Sequence, residues 1–245
     1  MIFNVPNFLD KDTLEGLRKK SEHLYKVSKE DNHVMIFGDK VEIDPSRGIY
    51  EDSRNVQLCN RFRFWSNNNI YDEAIEFFGA EVKTTLDQMI AYFHSKGYPE
   101  IQISNVWFQY GDENTLMYRH SDGTIHDATF PNCFTSQLFV HEEWPAERGG
   151  AFRIEELEGD CIHTFNSDPN LWLIWNRDHP HWMEPITSAP ILRTIFGVSW
   201  FQGSTRVNDL PGASAQHQNI LIKNWSGPGV KEKETYNTEV YPKDE

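Results

Sequence analysis

From Ile101 onward the chain is a series of short apolar strands separated by turn residues, and this texture constrains the fold more than any other feature. The strands run from Ile101 to Tyr110, Thr135 to Val140, Gly150 to Ile154, Leu171 to Trp175 and Arg193 to Phe201. Strands so spaced predict an antiparallel sandwich or barrel. The helical signals come earlier. Leu14, Leu17 and Leu24 share one face of a helix predicted from Lys11 to about Lys26, with Asp10 or Asp12 as its cap. Over residues 71–96, Ala74, Ile75, Phe78, Val82, Leu86, Met89, Ile90 and Phe93 recur at three- and four-residue steps. Gly79 can divide that stretch into two helices, and Gly97 and Pro99 end it. Ile2–Val5 reads as a short strand stopped by Pro6. Helices first and strands second give an α+β chain with a mainly β core, buttressed by N-terminal helices.

The 245 residues suit a single domain. Residues 1–100 read as helical and loop support, 101–205 as the β core and 206–245 as a polar C-terminal extension. Within the extension, residues 220–222 can pack as a strand and 231–245 read as a mobile tail. Residues 28–70 read as hairpins and loops, a candidate lid. The 23 Lys and Arg against 37 Asp and Glu give a net charge of −14. Such a surface repels phosphate backbones, so no nucleic-acid partner is expected. No run approaches ~18 apolar residues, so no membrane span is expected. Met1 to Asn7 lacks the pattern of a signal peptide. Cys59, Cys133 and Cys161 are few, odd in number and widely spaced, which predicts neither disulfides nor a zinc site. A cytoplasmic protein with reduced thiols is the expectation.

Chemistry concentrates in four residues. In a strand, His120 and Asp122 at i and i+2 would face one way and could hold one metal ion. His181, or its neighbour His179 across Pro180, can supply a third ligand. Two histidines and a carboxylate leave positions open on Fe(II) for a cosubstrate and O₂. Arg193, twelve residues past His181, sits in an apolar strand where an isolated guanidinium calls for an anion. Its fork matches a carboxylate with two hydrogen bonds. Metal ligands at one end and an anion receptor at the other follow the logic of a 2-oxoglutarate site.

These motifs resemble the Fe(II)- and 2-oxoglutarate-dependent oxygenases, on the prolyl-hydroxylase branch. The resemblance runs from about Tyr110 to Phe201. It is carried by Tyr110-Gly111, Tyr118-Arg119-His120-Ser121-Asp122-Gly123, Arg148-Gly149-Gly150-Ala151-Phe152, Trp175, His181-Trp182-Met183-Glu184-Pro185 and Arg193. It implies a double-stranded β-helix with the metal between two sheets, and Fe(II) held by His120, Asp122 and His181. Pro185, four residues after His181, marks that histidine rather than His179 as the ligand, and leaves His179 as a loop or supporting residue. The resemblance leaves His126, His141 and His163 structural or exposed. Phe139 stands where the hypoxia-type prolyl hydroxylases carry a tyrosine for the far carboxylate of 2-oxoglutarate. Tyr110, Thr135 and Ser136 are candidates to replace its hydroxyl, with Tyr110 preferred for its ten-residue spacing to His120. Trp182, beside a ligand, is the candidate substrate contact. The acidic pairs Glu142-Glu143 and Glu155-Glu156 read as solvated strand ends.

The resemblance implies a hydroxylase that consumes O₂ and 2-oxoglutarate, releases succinate and CO₂, and is open to stimulation by ascorbate. Asp122 argues against halogenation, since halogenating relatives have a small residue there. Ser199, where nucleic-acid demethylases carry a second arginine, argues against that group. The expected substrate is a small molecule or amino acid, with a peptidyl residue as the alternative. A metal-binding β-sandwich without catalysis is the reading from another class.

Overall fold

The computed structural model describes residues 1–31, 33–36, 39–42, 60–64, 70–113, 115–122, 132–158 and 161–203. The expectations for 206–245, for most of 43–69 and for His126 and Cys59 lie outside the described residues. In chain order the elements are β1 (Ile2–Val5), α1 (Lys11–Asp31), β2 (His33–Ile36), β3 (Asp39–Glu42), β4 (Asn60–Phe64), α2 (Ile70–Phe78) and α3 (Ala80–Ser95). Then follow β5 (Ile101–Gly111), β6 (Met117–His120), β7 (Asn132–Phe139), β8 (Phe152–Glu155), β9 (Ile162–Phe165), β10 (Trp172–Asn176), β11 (His181–Met183) and β12 (Arg193–Gln202).

Asp10 caps α1: its carboxylate accepts from the backbone of Asp12 and Thr13 and from the Thr13 hydroxyl. The helix outruns its predicted end by five residues. A six-stranded sheet has the order β1-β10-β7-β12-β5-β4 and a four-stranded sheet the order β6-β11-β8-β9. All pairs in both are antiparallel. From β5 onward successive strands alternate between the sheets, except that β8 and β9 pair as a hairpin within the small sheet. This is the expected double-stranded β-helix. Part of the 28–70 segment is ordered as a β2–β3 hairpin, and β4 extends the large sheet.

The two faces of the large sheet do different work, because side chains alternate along each strand. Val106, Phe108 and Tyr110 of β5, Phe134 and Leu138 of β7, Trp172 and Ile174 of β10 and Phe196, Val198 and Trp200 of β12 face the helices. Leu17 and Leu24 of α1 and Val82, Leu86, Met89 and Phe93 of α3 close over them. Each such side chain contributes about 1.5–3 kcal/mol on burial. The other face meets the small sheet. There Phe139, Leu173, Trp175 and Ile195 pack against Met117, Phe152, Ile154 and Met183. The helices therefore buttress the outer face of one sheet, and the inter-sheet face is left for chemistry.

Candidate metal centre and anion pocket

The site is assembled at the end of the small sheet. His181 on β11 lies directly opposite His120 on β6. Asp122 lies two residues beyond the end of β6, so it does not share the strand alternation expected for it. It is held instead from three directions. Its backbone N–H donates to Arg177 O at 3.1 Å, Arg177 Nη2 donates to its carbonyl at 3.2 Å, and Thr135 Oγ1 donates to its Oδ2 at 2.6 Å. Its Oδ1 stands 3.9 Å from His181 Nε2.

His181 is buried, between the rings of Trp175 at 5.0 Å and Phe152 at 5.7 Å. Its Nδ1 lies 3.0 Å from the carbonyl of His179. A carbonyl only accepts, so Nδ1 carries the proton and Nε2 presents its lone pair toward Asp122. An ion with bonds of about 2.0–2.2 Å fits between the two atoms. Carboxylate and imidazole donors suit a divalent first-row metal. His179 meets the His181 ring through its backbone carbonyl, while its own ring Nδ1 lies 2.9 Å from Glu155 O.

Arg193 is 1% exposed. Its Nε donates to Ser167 Oγ at 2.7 Å, and Ser167 Oγ donates on to Gly150 O at 2.9 Å. The guanidinium carbon lies 4.8 Å from the Phe139 ring centroid, so the apolar ring named from the sequence does border the arginine. Gly150 makes room for it, and Gly149 for the neighbouring Pro185 carbonyl. A Cβ on Gly150 would lie 3.3 Å from Arg193 Cδ, and one on Gly149 would meet Pro185 O at 2.3 Å.

Two expected contacts are corrected. Tyr110 pairs with Thr194, whereas Arg193 pairs with Gly111, so Tyr110 lies on the opposite face from Arg193. Its hydroxyl donates to Ser21 O of α1 at 2.8 Å, and burial pushes its pKa well above the ordinary range. Trp182 follows the buried His181, and alternation turns it to the outer side of the small sheet beside Arg153. The other two proposed hydroxyls are engaged as well. Thr135 holds Asp122, and Ser136 donates to Val198 O at 3.2 Å while accepting from Trp200 Nε1 at 2.8 Å. Ser167, which the sequence analysis missed, is the hydroxyl that meets Arg193. It lies in the turn before β10, without a motif to flag it.

The remaining candidates are peripheral. His141 is buried, with Nδ1 2.7 Å from Glu142 O. His163 lies 2.7 Å from Glu156 Oε1. Glu155 accepts two hydrogen bonds from Arg119, both at 2.8 Å, rather than standing solvated. Cys133 and Cys161 are free thiols, and no helix among the described residues is long and apolar enough to cross a membrane.

No family model matches the sequence, and no curated protein does. Solved structures do match. A prolyl-4-hydroxylase of Pseudomonas putida superposes with a TM-score of 0.57 at 13% identity, over 83% of this chain and 93% of that one. The fold is that of the prolyl hydroxylases. A prolyl hydroxylase of Trichoplax adhaerens, solved with a hypoxia-inducible-factor peptide fragment, gives 0.56 at 13% identity over 82% of this chain and 83% of that one. A viral collagen prolyl hydroxylase from Paramecium bursaria Chlorella virus-1, solved as its 2OG complex, gives 0.50 at 11% over 82% and 95%. The prolyl-hydroxylase fold thus spans most of both chains in each case, at identities that speak to fold alone.

Proposed function

We propose that this chain is an Fe(II)- and 2-oxoglutarate-dependent dioxygenase that hydroxylates an unactivated C–H bond of a small molecule or amino acid. The observation that carries the reading is the space between the two facing sheets. It holds Asp122 and His181 with donor atoms 3.9 Å apart and the buried Arg193, and the backbone of His120 pairs with that of His181. His120, Asp122 and His181 would hold the metal. Iron, when bound, supplies O₂ activation coupled to decarboxylation of 2-oxoglutarate to succinate and CO₂. Thr135 orients the Asp122 carboxylate by donating to Oδ2. The His179 carbonyl keeps the Nδ1 proton of His181 in place. Arg193, steadied by Ser167, receives the far carboxylate, and Phe139 and Ile195 keep water from that pair. A peptidyl substrate is the second reading, supported by the fold shared with a prolyl hydroxylase solved with a peptide fragment.

The test is succinate formation by purified protein with Fe(II), ascorbate and 2-oxoglutarate over a substrate panel, with 2-oxoglutarate binding followed by calorimetry. Asp122→Ala and His181→Ala should abolish turnover, while His179→Ala keeps most of it. Breaking a buried charge pair costs ~3–5 kcal/mol, so Arg193→Ala should weaken 2-oxoglutarate by roughly two to three orders of magnitude. Arg193→Lys should fall between, keeping the charge and losing the fork. Unchanged 2-oxoglutarate affinity in Arg193→Ala would rule the assignment out.

A further inference from the structure

The inter-sheet face of the large sheet carries buried polar side chains among its apolar ones. Register places its side chains in rows across the strands. Arg193 lies in the row of Gly111, and Ile195 in that of Gln109 and Phe139. Gly197 lies in the row of Trp107, Gln137 and Leu173, and Ser199 in that of Asn105, Thr135 and Trp175. Asn105 and Gln137 are each 5% exposed, and Trp175 is fully buried. Asn105 Oδ1, Gln137 Oε1 and Trp175 Nε1 have no hydrogen-bond partner among the described residues. Orphaned buried polar atoms weaken a fold, so three of them on one face need a reason.

Their position supplies it. Thr135, which grips Asp122, shares a row with Asn105 and Trp175, and Trp175 packs on the His181 ring. Gln137 is the next inward residue from Thr135 on β7. Asn105, Thr135 and Trp175 share their row with Ser199 of β12, and Arg193 lies nearer the start of that strand. Asn105 and Trp175 thus lie in the row that holds Asp122 through Thr135 and packs on His181, and Gln137 lies on the same face one row nearer Arg193. They are two amides and one indole N–H, offering acceptors and donors together. An amide is complementary to another amide whichever way its side chain is turned, because both present one acceptor and two donors.

We infer that Asn105, Gln137 and Trp175 form the subsite for the oxidised substrate, and that this substrate is a small molecule carrying a carboxamide. The inference rests on the proposed oxygenase reading and specifies its substrate class. Trp175 N–H donates to the substrate carbonyl, while Asn105 and Gln137 accept from its N–H groups. An apolar substrate of the same shape leaves all three unpaired and is rejected.

The experiment uses the full chain and two matched probe pairs, L-glutamine against L-methionine and L-asparagine against L-leucine. Binding is read by ligand-induced thermal shift and by calorimetry, with and without 2-oxoglutarate. The amide member of each pair should bind at least about tenfold more tightly than its apolar counterpart. Asn105→Leu and Gln137→Leu should lose that preference while melting at or above the wild-type temperature, since a buried orphan has been replaced by an apolar group of similar size. Equal binding within both pairs overturns the inference, as does the absence of binding by all four probes. So does a fall of several degrees in the ligand-free melting temperature of the Leu variants, which would make the amides structural. Wild-type binding of 2-oxoglutarate, measured in the same series, fails only if the oxygenase reading itself fails.

Discussion

Single side chains decide both the chemistry and the acid tolerance of this chain. Burial pushes the His141 imidazole down to about 3; the hydrogen bond to the Glu142 carbonyl opposes this, and the charges of Arg193, Arg18 and Arg148 add to it. The folded ring therefore stays neutral where the unfolded ring, near pH 6.5, takes up a proton. Its contribution to stability is complete above about pH 6.5 and drains away as pH falls toward about 3, by up to ~1.4 kcal/mol per pH unit. His141→Gln should flatten that part of the profile, so its urea midpoint should fall less than the wild type's between about pH 7 and about pH 4. The residue scale is also where the sequence is most uneven as a guide. The His120, Asp122, His181 and Arg193 pattern was legible because its spacing is distinctive. Tyr110, Thr135, Ser136 and Ser167 were not, because the face a hydroxyl takes depends on cross-strand register. Only the pairing of Arg193 with Gly111 shows that Tyr110 turns away.

Among the elements, the turn that enters β8 sets how closely the small sheet approaches Arg193. Gly149 and Gly150 adopt φ of 71° and 75°, a region that side chains disfavour. The Gly149 carbonyl accepts from Trp144 Nε1 at 2.9 Å, and its missing Cβ leaves space for Pro185 O. Gly149→Ala should destabilise by about 1–3 kcal/mol through strain and overpacking, read as a lower urea midpoint with an unchanged slope. The large strands and the division of the second helical stretch at Gly79 were readable from periodicity. β9 was not: Ile162–Phe165 is short, and its pattern of exposed and half-buried residues gives no apolar face to detect. The shared face argued for His120 and Asp122 needs a strand through both, but β6 stops at His120. The break is caused by Arg177 and Thr135, which lie far along the chain and capture Asp122.

Taken whole, the molecule separates what holds it together from what it handles. Phe93 is the hub of the outer core, with ring centroids 4.9 Å from Trp200, 5.6 Å from Phe134 and 5.8 Å from Trp172. Phe93→Ala should cost about 3–5 kcal/mol and lower the melting temperature by roughly 10 °C, with 2-oxoglutarate binding to the folded fraction unchanged. Helices followed by a β core was visible in the sequence at this scale, because apolar periodicity changes near Ile101. The pairing of the strands was not, since it joins distant segments. One such pairing has a consequence for biosynthesis. Ile2–Val5 aligns with Trp172–Trp175 at the sheet margin. At ribosomal speeds of about 5–20 residues per second, the first strand emerges roughly 10–35 s before the strand it must join. During that interval its backbone donors and acceptors are open to any extended segment nearby, so until β10 is made β1 is the stretch of the nascent chain most exposed to wrong strand pairing.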